Sequence, residues 1–379
     1  MVFIQFLHAL SEIVRSLRAV GCCLTRTCFG SLLTLERHRY MNPSELLAYL
    51  SSVVASEVRI SLMIWGAPGV GKSSIVAQVA QQAGLDFIDI RVSQLAPTDL
   101  RGLPVPERLE EGGGISRWYP PEFLPRSGAG ILFLDELNMA APSMQGVAQQ
   151  LILDRRVGNY QLPDGWFVWA AGNRKEDRAS VFDMPTALAN RFAHIEISPD
   201  VESFKKYAIA HGVSEHIIAF LSFRPELLHR IDPTQPAWPS PRSWFTADRL
   251  LKAGLPADSA IGAAVSTELS AFIKLFETLP DVEAILEGNG EHVDCPTELS
   301  VKYATTVSLA LRARSGEHAV NSFRWLTAKM TTEWTRTFIH DLRQSMQSKG
   351  LQGPLAIALL AEPTFKAFVK DYHELQVTA

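Results

Sequence analysis

The sequence predicts an α/β fold, a parallel sheet with helices on both faces, followed by a small all-helical domain. Three observations carry this reading. Short apolar, β-rich runs alternate with helix-periodic segments from residue 42 to about 200, the order that builds a parallel sheet covered on both sides. The first such run feeds straight into a glycine-rich turn that opens a helix. After about residue 200 the pattern becomes mostly helical.

Taken in order, Met41-Asn42-Pro43-Ser44-Glu45 is a helix start, with proline and an acid in the first turn. Leu46, Leu47, Leu50, Val53 and Val54 then recur at helical spacing through residue 56. Arg59 to Trp65 reads as a buried strand, Ser73 to Ala83 as a helix ending at Gly84, and Asp86 to Val92 as a second strand. Residues 94–128 are rich in glycine, proline and charge. A structureless loop of that length is uncommon inside a domain, so an inserted hairpin or helix is expected there. Ile131 to Leu134 is a third apolar strand and Ser143 to Asp154 a helix. Arg156 to Tyr160 and Trp166 to Ala170 flank Leu162-Pro163-Asp164-Gly165, which reads as a hairpin turn. The proline-rich stretch 233–241 is a linker or an ordered loop.

Composition excludes several classes. The 379 residues exceed the usual limit of a single core. A hydrophobic share of 47% and a charged share of 20% exclude disorder and a disulfide scaffold. The formal charge of -4 argues against bulk-charge binding of nucleic acid, and Lys and Arg from 302 to 349 form no dense run. No run of about 20 apolar residues predicts a membrane span. Cys22, Cys23, Cys28 and Cys295 lack metal-site spacing, and read as free thiols of a cytoplasmic protein.

Residues 1–40 stand apart. Val2 to Leu10 is apolar, and Arg15, Arg18, Arg26, Arg37 and Arg39 follow it, the reverse of a signal peptide's order. Glu12 and Glu36 weaken a transit-peptide reading. The preferred expectation is that Met41 is the true start and residues 1–40 are an upstream extension; a short amphipathic docking helix is the alternative.

The chemistry begins at Gly66-Ala67-Pro68-Gly69-Val70-Gly71-Lys72-Ser73, with Ser74 next. This matches G-x-x-x-x-G-K-[ST] in full, between a predicted strand and a predicted helix, the context of a phosphate-binding P-loop. Glycines let backbone N–H groups turn inward as an anion nest, and the helix N-terminus adds its dipole. Lys72 would reach the β- and γ-phosphates of a nucleotide and the Ser73 hydroxyl would ligate Mg²⁺. Some sixty residues on, Ile131-Leu132-Phe133-Leu134 ends in Asp135-Glu136. A buried strand delivers its C-terminal residues to the ligand crevice of an open sheet. There Asp135 would hold Mg²⁺ and Glu136 would deprotonate the attacking water; a solvated acid pair is the alternative.

Together with Trp169-Ala170-Ala171-Gly172-Asn173, these motifs resemble the AAA+ ATPases over roughly residues 42–310, a P-loop NTPase core followed by a helical lid. Within that class the chain resembles the MoxR-like group, which belongs with the dynein-related and midasin-like modules. Asp99-Leu100-Arg101-Gly102-Leu103-Pro104 and Trp118-Tyr119-Pro120-Pro121 look like that group's inserted hairpin. The stretch from Arg155-Arg156-Val157-Gly158 to Asp164-Gly165-Trp166 looks like the hairpin before the sensor strand, and Met184 to Phe192 like the segment carrying the arginine finger.

The resemblance implies an α/β domain over 41–200, a lid over 201–310 and a C-terminal helical segment over 311–379. It implies that Asn173 is sensor 1, that Arg191 is a finger acting on the neighbouring subunit's nucleotide (Arg178 is the rival), and that Arg242 is sensor 2. It further implies ATP and Mg²⁺ bound between subunits of a homo-oligomeric ring, a hexamer, whose hydrolysis remodels or activates a protein client. The client would be a separate protein, often one carrying a von Willebrand factor A domain. A McrB-like nucleic-acid motor and a nucleotide-gated scaffold with little turnover are the rival readings. His211, His216 and His229 read as surface histidines, and Phe323, Trp325, Trp334 and Phe338 as a helical core stripe.

Overall fold

The computed structural model describes residues 40–109, 113–177 and 181–369. The expectations for residues 1–39, three of the four cysteines among them, lie outside these; Cys295 is a half-exposed free thiol. The described residues cluster into two compact units, Tyr40–Thr278 with Glu298–Ala304, and Leu279–Thr297 with residues 305–369.

The first unit opens with helix α1 (Pro43–Ala55), capped reciprocally by Asn42 and Glu45. Then come β1 (Leu62–Trp65), α2 (Lys72–Ala83), β2 (Asp86–Arg91), the short α3 (Pro97–Arg101), β3 (Leu103–Arg108) and β4 (Gly114–Tyr119). β5 (Gly130–Asp135), α4 (Pro142–Asp154), β6 (Arg156–Val157), β7 (Tyr160–Gln161) and β8 (Trp166–Gly172) follow. After them come α5 (Thr186–Ala189), β9 (Ala193–Glu196), α6 (Val201–Ala210), α7 (Glu215–Phe223), α8 (Pro241–Lys252), α9 (Asp258–Ile261) and α10 (Ala263–Lys274).

Five strands form one parallel sheet in the order β2-β5-β8-β1-β9. β8 is buried along its whole length and β5 along all but its last residue, because both of their faces are covered. The pleat divides their side chains. Ile131, Phe133, Phe167, Trp169 and Ala171 pack with Leu46 and Leu50 of α1 and Ile75, Val76 and Val79 of α2. Leu132, Leu134, Trp166, Val168 and Ala170 pack with Met144, Val147 and Leu151 of α4. The sheet is thus a three-layer core, as its alternation of elements predicts.

Some readings change. β1 starts at Leu62 rather than Arg59, whose guanidinium instead lies 4.2 Å over the Phe167 ring and donates to the Gly165 carbonyl at 2.7 Å. The 94–128 stretch holds both α3 and the antiparallel β3–β4 hairpin. Trp166 to Ala170 is not a hairpin partner. It is a central parallel strand, and the hairpin is β6–β7, turned at Gly158. The physical reason is burial: Trp166–Gly172 is apolar toward both faces, which suits a sheet interior and not an exposed two-stranded ribbon. Met41 also does more than precede a helix, since its N–H donates to Glu196 at 2.7 Å at the edge of β9.

The second unit carries α11 (Val282–Leu286), α13 (Gly316–Lys329), α14 (Thr332–Ser348) and α15 (Gln352–Ala361), while α12 (Leu299–Arg312) spans the division. Phe323, Trp325 and Phe338 lie in its core with Leu326 and Leu342, as read from the sequence, whereas Trp334, the fourth residue of that stripe, is half-buried and outside the cluster. Among the described residues no helix is long and apolar enough to cross a membrane.

Leu132 is fully buried between β5 and α4. Leu132→Ala is expected to lower the unfolding free energy of this unit by about 2–5 kcal/mol, read as a fall in the urea midpoint at unchanged slope.

Candidate functional site

The ends of β1, β5 and β8 meet at one edge of the sheet. Trp65 pairs with Gly172, so the next residues, Gly66 and Asn173, are neighbours, and Gly66 N–H donates to the Gly172 carbonyl at 3.3 Å. From Gly66 the chain makes the glycine turn and enters α2 at Lys72, with Gly71 at a φ of 102° as N-cap. Nothing lies within 4 Å of where a Cβ on Gly71 would stand. The loop therefore presents open backbone there, as an anion cradle requires.

Lys72 is 8% exposed. Its ammonium donates to the carbonyls of Gly66 at 2.7 Å and Ala67 at 3.2 Å and to Asn173 Oδ1 at 3.0 Å, so its three donors are all engaged. Burial pushes its pKa from 10.5 down to about 8, against the opposing pull of Asp135 and Asp177. Asn173 is held in turn by Asn138, whose Nδ2 donates to the Asn173 carbonyl at 2.7 Å while its Oδ1 accepts from the Asn173 N–H at 3.1 Å.

Ser73 Oγ donates to Asp135 Oδ2 at 2.7 Å, and Asp135 Oδ1 accepts from the Glu136 N–H at 2.8 Å. Glu136 sits at a φ of 55° and accepts from the Ser93 hydroxyl in the turn after β2. A non-glycine residue in that region is uncommon, and such conformations concentrate at functional sites. Partial burial first, then the charges of Asp135 and Glu136, raise the Asp89 carboxyl above its ordinary range. Three carboxylates crowd one end of the site. A hydroxyl and carboxylates so placed are the hard oxygen donors that suit Mg²⁺, and the residues present fit that ion.

Arg242 belongs to the same neighbourhood. It lies in the first turn of α8, its backbone N–H donates to the Gly69 carbonyl at 3.3 Å, and its charge helps depress the Lys72 pKa. Pro68, Val70 and Ser74 complete the loop and its helix. Arg191 is not brought in. It is exposed, and its guanidinium donates to the Ala187 carbonyl at 2.6 Å. Arg178, its rival, lies outside the described residues.

The sequence reading missed four participants. Asn138 and Ser93 reach the site through tertiary pairing and left no local signal. Arg174 is locked to Asp177 by two hydrogen bonds of 2.9 and 3.0 Å, and both charges act on Lys72. His229, read as a surface residue, is half-buried and bonded to the P-loop at Pro68.

The lowered Lys72 pKa has a pH consequence. Above about pH 8 the ligand-free protein has released this proton, whereas the charge of nearby phosphates would restore it. Binding of ADP should therefore weaken as the pH rises from 7 to 9.5 and should take up a proton near pH 8.5. Calorimetry in buffers of different ionisation enthalpy measures that uptake. The folding contribution has a defined sign as well. The unfolded chain keeps the proton up to 10.5, so this residue's contribution to stability rises with pH between about 8 and 10.5.

Residues 62–199 match the family model of AAA, the ATPase family associated with various cellular activities. The chain is 30% identical over 151 residues to midasin of Dictyostelium discoideum and 28% identical over 145 residues to midasin of Giardia intestinalis. Each match covers 36% of this chain, and only 2% and 3% of the midasins' own lengths. Among solved structures, NtrX from Brucella abortus in complex with ADP aligns over 93% of this chain and 74% of its own, at 13% identity and a TM-score of 0.36. A point mutant of RuvB from Thermotoga maritima aligns over 66% of this chain and 79% of its own, at 15% identity and the same TM-score of 0.36. The site just described, from Gly66 through Asn173, falls inside the segment that matches the AAA family model.

Proposed function

We propose that the chain is an ATPase that binds ATP with Mg²⁺ on residues 66–74 and hydrolyses it at subunit interfaces of a hexameric ring, to remodel or activate a protein partner in the manner of the MoxR-like group. The observation that carries the hydrolytic part is the convergence of Lys72, Ser73, Asp135, Glu136 and Asn173 at the ends of three strands. Lys72 meets the β- and γ-phosphates, exchanging carbonyl partners for phosphate oxygens. Ser73 and Asp135 would hold the metal, which supplies positive charge to the phosphate oxygens when bound. Glu136 takes the proton of the attacking water, and the Asn173 amide orients that water without adding charge. Arg242, at the start of α8, lies beside the loop as the sensor of the helical part.

Arg191 completes the site from a neighbouring subunit. Its exposure and its position after β8 support that role, since an arginine facing solvent in one copy is available to another. The ring and the client, a separate protein with a von Willebrand factor A domain, rest on the resemblance of the hairpin and finger segments. The family model matches only residues 62–199, and each midasin match covers 36% of the chain.

Glu136→Gln is expected to bind ATP with near-normal affinity and to hydrolyse it about 10²–10⁴-fold more slowly, because the amide keeps the shape and loses the base. Phosphate release alongside fluorescent-nucleotide titration reads both effects, and wild-type turnover would assign the water to another residue.

A mixing experiment tests action in trans. Arg191→Ala should bind ATP and barely hydrolyse it; Lys72→Ala should fail to bind. Mixed, the two can form interfaces that pair an intact P-loop with an intact Arg191, so activity should partly return. Mixing Arg191→Ala with the double mutant Lys72→Ala/Arg191→Ala offers no complete interface. Equal activity in both mixtures, with subunit exchange verified by labelled protein, would sink the finger assignment.

A further inference from the structure

The apex of the phosphate loop is held from outside by the stretch between α7 and α8. His229 lies there, its ring edge-on to Trp238 with centroids 5.5 Å apart. Its Nε2 is 3.1 Å from the Pro68 carbonyl oxygen. A carbonyl only accepts, so Nε2 carries the proton. Burial pushes the ring's pKa below its ordinary value, against the opposing effect of this hydrogen bond.

The next carbonyl of the loop, that of Gly69, accepts from the Arg242 N–H at 3.3 Å. Ser240 closes the remaining space. A Cβ on Gly69, itself at a φ of 79°, would stand 2.9 Å from Ser240 Oγ. The stretch is itself fixed. Arg230 N–H donates to the Pro239 carbonyl at 3.0 Å, Trp244 Nε1 donates to the Leu227 carbonyl at 3.0 Å, and Ser240 and Ser243 cap α8 reciprocally.

Peptide planarity gives these contacts a consequence for a ligand. In a trans peptide the C=O and the following N–H point in opposite directions, and the described residues contain no cis bond. Turning the Pro68 carbonyl toward His229 therefore aims the Gly69 N–H the opposite way. Turning the Gly69 carbonyl toward Arg242 does the same for the Val70 N–H. These amides belong to the glycine turn whose N–H groups cradle phosphates.

We propose that His229 is a positioning residue for the nucleotide's β-phosphate, acting through the Pro68–Gly69 peptide plane. The proposal rests on the nucleotide reading above. His229 touches no phosphate; it sets the direction of a donor that does. A rigid donor loses no freedom on binding, so the gain appears as affinity. The interaction also makes the loop's phosphate grip depend on the placement of the helical stretch.

The test is a titration of mant-ADP and mant-AMP against the full chain and three variants, with thermal unfolding confirming that each is folded. His229→Ala and His229→Phe should each bind mant-ADP about three- to tenfold more weakly, the range for one lost hydrogen bond. His229→Gln should bind it within about twofold of wild type, since its amide can donate to the same carbonyl. AMP lacks the β-phosphate, so mant-AMP should bind all four proteins alike. Wild-type ADP affinity in His229→Ala, a Gln variant as weak as the Phe variant, or equal losses for ADP and AMP would each overturn the proposal. Failure of the wild-type chain to bind mant-ADP would overturn the nucleotide reading and this inference with it.

Discussion

A buried ammonium organises this molecule. Lys72 cannot be hydrated at 8% exposure, and an unpaired buried charge is costly, so every donor must find an acceptor in the protein. Two acceptors are carbonyls of its own loop and the third is Asn173, just past the end of β8. The third contact exists only if β1 lies beside β8 in the observed register, with Trp65 opposite Gly172. A slip of one residue would turn every side chain of β1 to the other face. It would move Met63 out of one core and Leu62 and Ile64 out of the other. The two apolar layers thus fix the register, and the register fixes the polar site.

The same logic places the acids. Arg91 pairs with Asp135 across β2 and β5, which brings Ser93, two residues beyond the strand, to Glu136. Asn138 follows Glu136 by two residues and reaches back to clamp Asn173. Gly172 permits this approach, for a Cβ there would stand 2.6 Å from Asn138 Oδ1. Among the chemically active groups, Glu136 and Asn173 are each oriented by a neighbour, Ser93 and Asn138, that has no part in the reaction.

What could be read from the sequence follows from which of these interactions are local. The P-loop, the Asp135–Glu136 strand end and Asn173 are contiguous words, each tied to one strand–turn junction, and they were legible. The sheet was legible too, because strands buried on both faces are written as apolar runs. Leu162 to Gly165 misled because a proline–aspartate–glycine turn looks the same before a hairpin strand as before a parallel one; only the burial of Trp166 and Trp169 on opposite faces separates the cases. His229 and Ser93 were illegible for a different reason. Their partners are 161 and 43 residues away, and a lone histidine or serine carries no periodicity to betray that.

Charge balance supports completion of the site from outside the subunit. Among the described residues, the arginines whose charge bears on Lys72 are Arg242 and Arg174. Arg174 is committed: its guanidinium is forked onto Asp177 and lies 5.6 Å from the Tyr40 ring. That ion pair is half-buried, where removing either partner would strand a charge, so Arg174 is poorly placed to leave Asp177 for a phosphate. Arg242 is exposed but anchored through its backbone to Gly69, which suits it to report loop position more than to travel. Transferring a phosphoryl group spreads negative charge over several oxygens; Lys72, Arg242 and the metal that Ser73 and Asp135 would hold are the positive charges one subunit offers among its described residues, and the proposed finger would add to them. Arg191 is exposed, and its hydrogen bond to the Ala187 carbonyl carries no counter-charge. An exposed guanidinium with no counter-charge against it among the described residues is what the proposed action of Arg191 on a neighbouring copy requires.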